Sequence, residues 1–191
     1  MGVDLLTRGG ALETRETLET HWLWDAMAGA TELPRPVPAD GAELADLVDW
    51  ARAHAADGDG RCSVLFEVLD DGGRAARGAA PPGMPGDPDE FPGGFPGGFP
   101  DNRQTGYRMF REALGLVRRL RAAEADRARG RWIFLRLETA ATWYTVERYY
   151  DRWPPWMPRC RYAGPSVRGL GREMSRRTPE YRPPWADLLM A

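Results

Sequence analysis

The stretch from Gly130 to Asp151, GRWIFLRLETAATWYTVERYYD, constrains this chain more than any other. Aromatic and β-branched residues dominate it, a composition that suits a pleated, half-buried surface. It reads as two strands joined around Ala140-Ala141. Side chains alternate along a strand. In the second strand Tyr144, Val146, Arg148 and Tyr150 therefore share one face, and Trp143, Thr145, Glu147 and Tyr149 share the other. A hairpin of this kind is stable only when something covers its apolar face. Little in it looks catalytic, so the stretch points towards a packed sheet and a recognition surface.

The preceding segments supply the cover. Residues 11–30 carry Leu12, Leu18, Trp22 and Met27 on a first helix with an acidic start, ended by Pro34, Pro36 and Pro38. Asp40 reads as the N-cap of a second helix, with Glu43 three residues on. Leu44, Leu47, Val48 and Ala51 follow at helical spacing, with closure near Gly58. Arg61 to Asp70 is a strand with both faces largely apolar, hence central in its sheet. Asp70-Asp71-Gly72-Gly73 is a turn, and a weaker return strand runs from Arg74 to Ala79. The longest helix spans Thr105 to Ala128, with Tyr107, Phe110, Leu114, Val117 and Leu120 in one stripe and Gly130 closing it.

The 22 Gly and 17 Pro must sit mainly in loops, because both weaken element interiors. Residues 80–102, AAPPGMPGDPDEFPGGFPGGFPDN with its flanks, hold many of them. This low-complexity tract is either a flexible insertion or a recognition loop anchored by Phe91, Phe95 and Phe99. The tail, 152–191, sets Trp153, Trp156 and Trp185 among prolines. It allows a short helix over Ser166 to Arg177, with the rest extended against the sheet. The organisation expected is an N-terminal helical extension, 1–39, and a single α+β domain, 40–191. That domain is a small, mainly antiparallel sheet packed by helices, with the Pro/Gly-rich loop inserted.

Charge is unevenly distributed. Residues 1–101 carry 19 Asp/Glu against 7 Arg, and residues 102–191 carry 9 against 19, while the whole chain sums to -2. The chain has no Lys. A Walker-type phosphate site therefore cannot be built. GxGxxG, HExxH, GxSxG and the zinc-deaminase pattern are absent too. Cys62 and Cys160 lie far apart without a CxxC pair, so no metal or other cofactor is expected. His21 and His54 fall in helices, where a lone histidine is more often a surface or capping residue. The start of the chain has neither a basic segment nor a long apolar run. The expectation is a cytoplasmic protein with reduced thiols and no membrane partner. An Arg-rich nucleic-acid-binding module is the alternative, drawing on helix 105–128, Arg131, Arg136 and Arg148 interleaved with Trp132, Phe134, Trp143 and Tyr149. Its weakness is the acidic first half. An enzyme using Cys62 or a histidine is a third possibility.

The order helix, strand–turn–strand, Pro-containing loop, long helix, then two strands ending in Tyr-Asp resembles the YezG-like immunity proteins. Those are antitoxins for secreted polymorphic toxins of bacteria. The residues carrying the resemblance are CSVLFEVLDDGG at 62–73, GYRMFREALGLVRRLR at 106–121, Trp132, and WYTVERYYD at 143–151. LGREMSRRTPEYRPPW at 170–185 is similar to the endings of actinobacterial relatives. The FPGGFPGGFP tract and Glu147-Arg148 depart from the family pattern. The resemblance implies a protein that binds and blocks a cognate toxin, in many such systems a nuclease, with no catalytic residues of its own.

An acidic surface suits a basic nuclease cleft, since complementary charge raises association rate and specificity. The acidic residues cluster at 40–71. Glu43, Asp46, Asp49, Asp70 and Asp71 are therefore the candidate partner-binding residues, joined by Trp143, Tyr149, Tyr150 and Asp151 from the aromatic strand.

Overall fold

The computed structural model describes residues 22–55, 60–77, 103–157 and 165–189, with the backbone alone for 72–77 and 103–107. Four strands form one antiparallel sheet: β1 Cys62–Leu69, β2 Gly72–Arg77, β3 Phe134–Thr139 and β4 Tyr144–Tyr149, in the order β2-β1-β3-β4. Helices α1 (22–29), α2 Ala42–Ala53, α3 Arg103–Ala123 and α4 Val167–Arg176 pack around it. The expected α+β architecture is therefore present, with β1 central as its two apolar faces require. The inserted tract 80–102 and residues 11–21 of the first expected helix lie outside the described residues.

The two faces of the sheet feed two cores. Val64, Phe66 and Val68 of β1 and Leu135 and Leu137 of β3 point to one side, where they meet α2 and α3. From the helices come Leu44, Leu47, Val48 and Ala51, and Met109, Ala113, Leu114, Val117 and Leu120. Each buried Leu, Val or Phe contributes about 1.5–3 kcal/mol relative to exposure, so this layer is the main driving force for folding. Of the stripe expected on the long helix, Leu114, Val117 and Leu120 are buried and Phe110 partly so, Met109 and Ala113 join them, and the Tyr107 side chain lies outside the described residues.

The second core occupies the Leu69–Phe134 end of the opposite face. Leu23, Trp24 and Met27 of α1 and Leu170 and Met174 of α4 enclose Ile133, Phe134, Trp153 and Trp185. The Trp153 ring lies 5.7 Å from Trp24 and 5.3 Å from Phe134, and its backbone N–H donates to the Met27 carbonyl at 3.0 Å. The described part of the N-terminal extension thus shares a core with the tail.

Several boundaries differ from the sequence expectation. α3 ends at Ala123, five residues early. Beyond it the Asp126 carboxylate accepts the backbone N–H of Ala128 and of Arg129, both at 2.8 Å, and builds a tight turn closed by a bridge from Asp126 to Gly130. Asp competes with helix in just this way. Gly130, at φ 76°, serves that turn and does not cap the helix. The N-cap of α2 is Gly41, with no side-chain cap bond, and Asp40 instead accepts the Tyr144 hydroxyl at 2.5 Å. α2 stops at Ala53, where the His54 N–H bonds the Trp50 carbonyl at 3.1 Å and its ring stacks on Trp50. Gly58 lies outside the described residues. β2 begins at Gly72, paired with Leu69, so the turn is the two-residue loop Asp70-Asp71. α4 starts as expected, with Ser166 Oγ accepting the Gly169 N–H at 2.9 Å. The tail beyond it is not extended but forms 3-10 turns at Pro179–Tyr181 and Pro184–Leu189, each opened by the proline that favours that position. Among the described residues no helix is long and apolar enough to cross a membrane.

Candidate partner interface

α2 buries Leu44, Leu47, Val48, Trp50 and Ala51, which leaves Asp46 and Asp49 on its outer side. Asp49 is 80% exposed at the side chain and Asp46 is 59% exposed, the latter 3.4 Å from Arg119 of α3. Glu43, one turn earlier, is half-buried. The tip of the β3–β4 hairpin is tied to this helix at both ends. Arg52 donates to the carbonyls of Ala140 at 3.0 Å and Trp143 at 3.4 Å, while Tyr144 bonds Asp40 at the other end. The Asp40 carboxylate, by accepting that hydrogen bond, raises the Tyr144 phenol above its ordinary value. Trp143, on the hairpin tip so tied, is 50% exposed. Arg52, 4.0 Å from Asp49, thus links the acidic helix to the hairpin that carries Trp143.

The Asp70-Asp71 turn sits elsewhere, against α4. Asp71 accepts the Ser166 hydroxyl at 2.8 Å. Asp70 is surrounded by guanidinium groups: Arg121 at 3.2 Å, Arg131 at 2.9 Å, and Arg176 in direct contact. Burial pushes its carboxyl up, but Arg131 and Arg176 outweigh that and hold it far below the usual carboxylate range. Its charge is spent on joining the turn to α3, β3 and α4.

Tyr150 and Asp151 are buried and belong to the interior. The Asp151 carboxylate lies between Arg35 and Arg177, bonding Arg177 Nη1 at 2.7 Å and accepting the Leu33 N–H at 2.9 Å. The Arg35 guanidinium lies over the Tyr150 ring at 4.4 Å. Asp151 is therefore withdrawn from a partner surface, because Arg35, Arg177 and the Leu33 N–H already occupy its carboxylate, whereas Tyr150, though buried, still lines a cleft. Tyr149 is half-buried in an edge contact with Trp156 at 5.6 Å.

Around them runs a network that the sequence did not announce. Glu173 of α4 takes Arg121 at 2.9 Å, the Arg131 N–H at 2.7 Å and Arg131 Nη2 at 3.1 Å. Burial raises its carboxyl, and Arg121 leads the groups that overcome this and lower it. Glu32 accepts the backbone N–H groups of Tyr150, Asp151 and Arg152 at 3.0–3.1 Å. Burial dominates there and leaves the Glu32 carboxyl raised. Glu124 holds Trp132 Nε1 at 2.8 Å and Arg148 Nε at 2.7 Å. Of the arginines offered for a nucleic-acid surface, Arg131, Arg136 and Arg148 each face a carboxylate. Partners lie up to 120 residues apart in the chain, so no local spacing reveals them.

A cleft of about 400 Å³ opens between the 35–43 segment and the C-terminal end of α3. Val37, Leu120, Ala123 and the Tyr150 ring form apolar walls, and Glu43, Glu124, Asp126, Arg35 and Arg129 bring charge to it. Among the described residues no group of three or more His, Cys, Asp or Glu is arranged to hold a metal ion. Cys62 is buried in the first core, and His21 and Cys160 lie outside the described residues. No family model, curated protein or solved structure matches this chain.

Proposed function

We propose that this protein is an immunity protein, which neutralises a cognate secreted bacterial toxin by stoichiometric binding in the cytoplasm of the producing cell. The observation that carries the reading is the exposed acidic face of α2, with the half-exposed Trp143 on the hairpin that Arg52 ties to that helix. An exposed aromatic side chain near exposed charge has the anatomy of a protein–protein interface. The aromatic side chain supplies energy, and the charges supply approach rate and selectivity. The likeness of segments 62–73, 106–121 and 143–151 to the YezG-like immunity proteins supports the same reading. A toxin with a basic active-site cleft, as a nuclease needs, is the complementary partner.

Co-expression with the toxin domain encoded beside this chain's gene tests the proposal. Growth should be restored by this chain and lost again on Trp143→Ala with Asp46 and Asp49 reversed to Arg. A neighbouring toxin that kills equally with or without this chain would remove the reading.

A further inference from the structure

We propose that the cleft between the 35–43 segment and the end of α3 receives an arginine or lysine side chain of the partner protein, an inference that rests on the partner-binding reading above. Its size suits one long side chain: about 400 Å³ lies at the lower end of functional pockets. Val37, Leu120 and Ala123 give a sleeve for an aliphatic stem, and Val37 at the mouth is 85% exposed. Lys and Arg side chains pack such stems on apolar surface while keeping their charge on polar groups.

The charge of the cleft selects the cation. Arg35 lines it, but Asp151 is in contact with that guanidinium and Glu32 lies 3.7 Å away. Glu124 is likewise matched by Arg148. Arg129, which also lines the cleft, is engaged by Tyr181, its guanidinium 5.5 Å from the ring centre and its Nε 3.3 Å from the hydroxyl. Also lining the space are Glu43 of α2, the exposed Asp126, whose Oδ1 holds its own turn while its charge remains, and the carbonyl end of α3, which carries the negative pole of the helix. An anion would meet these groups unfavourably, and a bare metal ion lacks a ligand set among the described residues. The cleft also continues the acidic face of α2, one turn before Asp46, so one basic surface can engage both.

The test uses the full chain and a blocked arginine, N-acetyl-arginine methylamide, followed by amide NMR. The neutral N-acetyl-norleucine methylamide, which keeps an unbranched aliphatic stem without the guanidinium, is the control. Saturable shifts centred on Glu43 and Asp126 are expected for the arginine probe alone. Affinity should fall about fivefold in Glu43→Gln, as expected for loss of one partly screened charge. It should vanish in Ala123→Phe, which fills the cleft from an exposed helix position without changing charge. Val37→Phe, at the mouth, gives the same readout should Ala123→Phe fail to fold. Norleucine binding as well as arginine, arginine shifts that persist in the filled variants, or no saturable shift would each overturn the proposal. The co-expression assay separates the two readings. Protection without probe binding removes the cleft and keeps neutralisation, and probe binding without protection does the reverse.

Discussion

Arg177 and Asp151 meet at 2.7 Å with neither side chain exposed to solvent. Their elements, α4 and the end of the β3–β4 hairpin, are joined through this pair and through Arg177 Nη2 to the carbonyls of Arg131 at 3.0 Å and Tyr150 at 3.1 Å. Removing one buried partner leaves the other charge uncompensated. Asp151→Asn should therefore destabilise the fold by about 3–5 kcal/mol, a loss that urea denaturation measures directly. Arg177→Met in the same background should add less than its own single cost, because the two residues act as one unit.

Two glycines should respond in opposite directions to alanine. At Gly130 the backbone is left-handed, and an added Cβ would lie 2.7 Å from Glu173 Oε1. Gly130→Ala should cost at least about 1–2 kcal/mol from backbone conformation alone. Gly115 sits within α3 with nothing within 4 Å of such a Cβ. Gly115→Ala should stabilise by about 0.5–1 kcal/mol. Thermal denaturation of the two variants checks both signs.

Acid should act through the network in two opposing senses. Asp70 and Glu173 have lowered pKa values in the folded state. Their stabilisation is full above the unfolded carboxylate range and is lost as pH falls through the lowered values. Glu32 is raised. Its contribution is present below the unfolded value and is lost as pH rises through the raised one. Urea midpoints across pH should show the Asp70→Asn penalty shrinking on acidification, and Glu32→Gln gaining on the wild type as pH rises. Parallel curves for all three proteins would contradict these assignments.

Reversing Glu43, Asp46 and Asp49 to Arg should slow association with a basic partner, and added salt should shrink the effect. Asp46 and Asp49 are exposed, so stability should change by no more than about 0.5 kcal/mol for each of them. Stopped-flow association at two salt concentrations reads the first effect and thermal denaturation the second.

What was legible in the sequence was periodic. The alternation of Cys62, Val64, Phe66 and Val68 and the 3–4 spacing of Leu114, Val117 and Leu120 carry the first core directly. The hairpin around Ala140 and the start of α4 at Ser166 were equally local. The end of α3 was not, because Asp126 stops the helix by bonding its own turn, against a helical composition. The second core and the ionic network were invisible for a different reason. Trp24, Trp153 and Trp185, or Arg35 and Asp151, meet only after the chain has closed over large separations. Tyr150 and Asp151 looked like a surface motif because a buried Asp cannot be told from an exposed one without Arg35 and Arg177 beside it. Asp46 and Asp49 were readable as exposed from the apolar positions around them.

Titration of the toxin's activity against this chain tests stoichiometric neutralisation most directly. Activity should fall linearly and end at one chain per toxin molecule, with the endpoint recovered as an equimolar complex by light scattering. Undiminished activity at excess chain, or complete inactivation at a small fraction of one equivalent, would contradict the account.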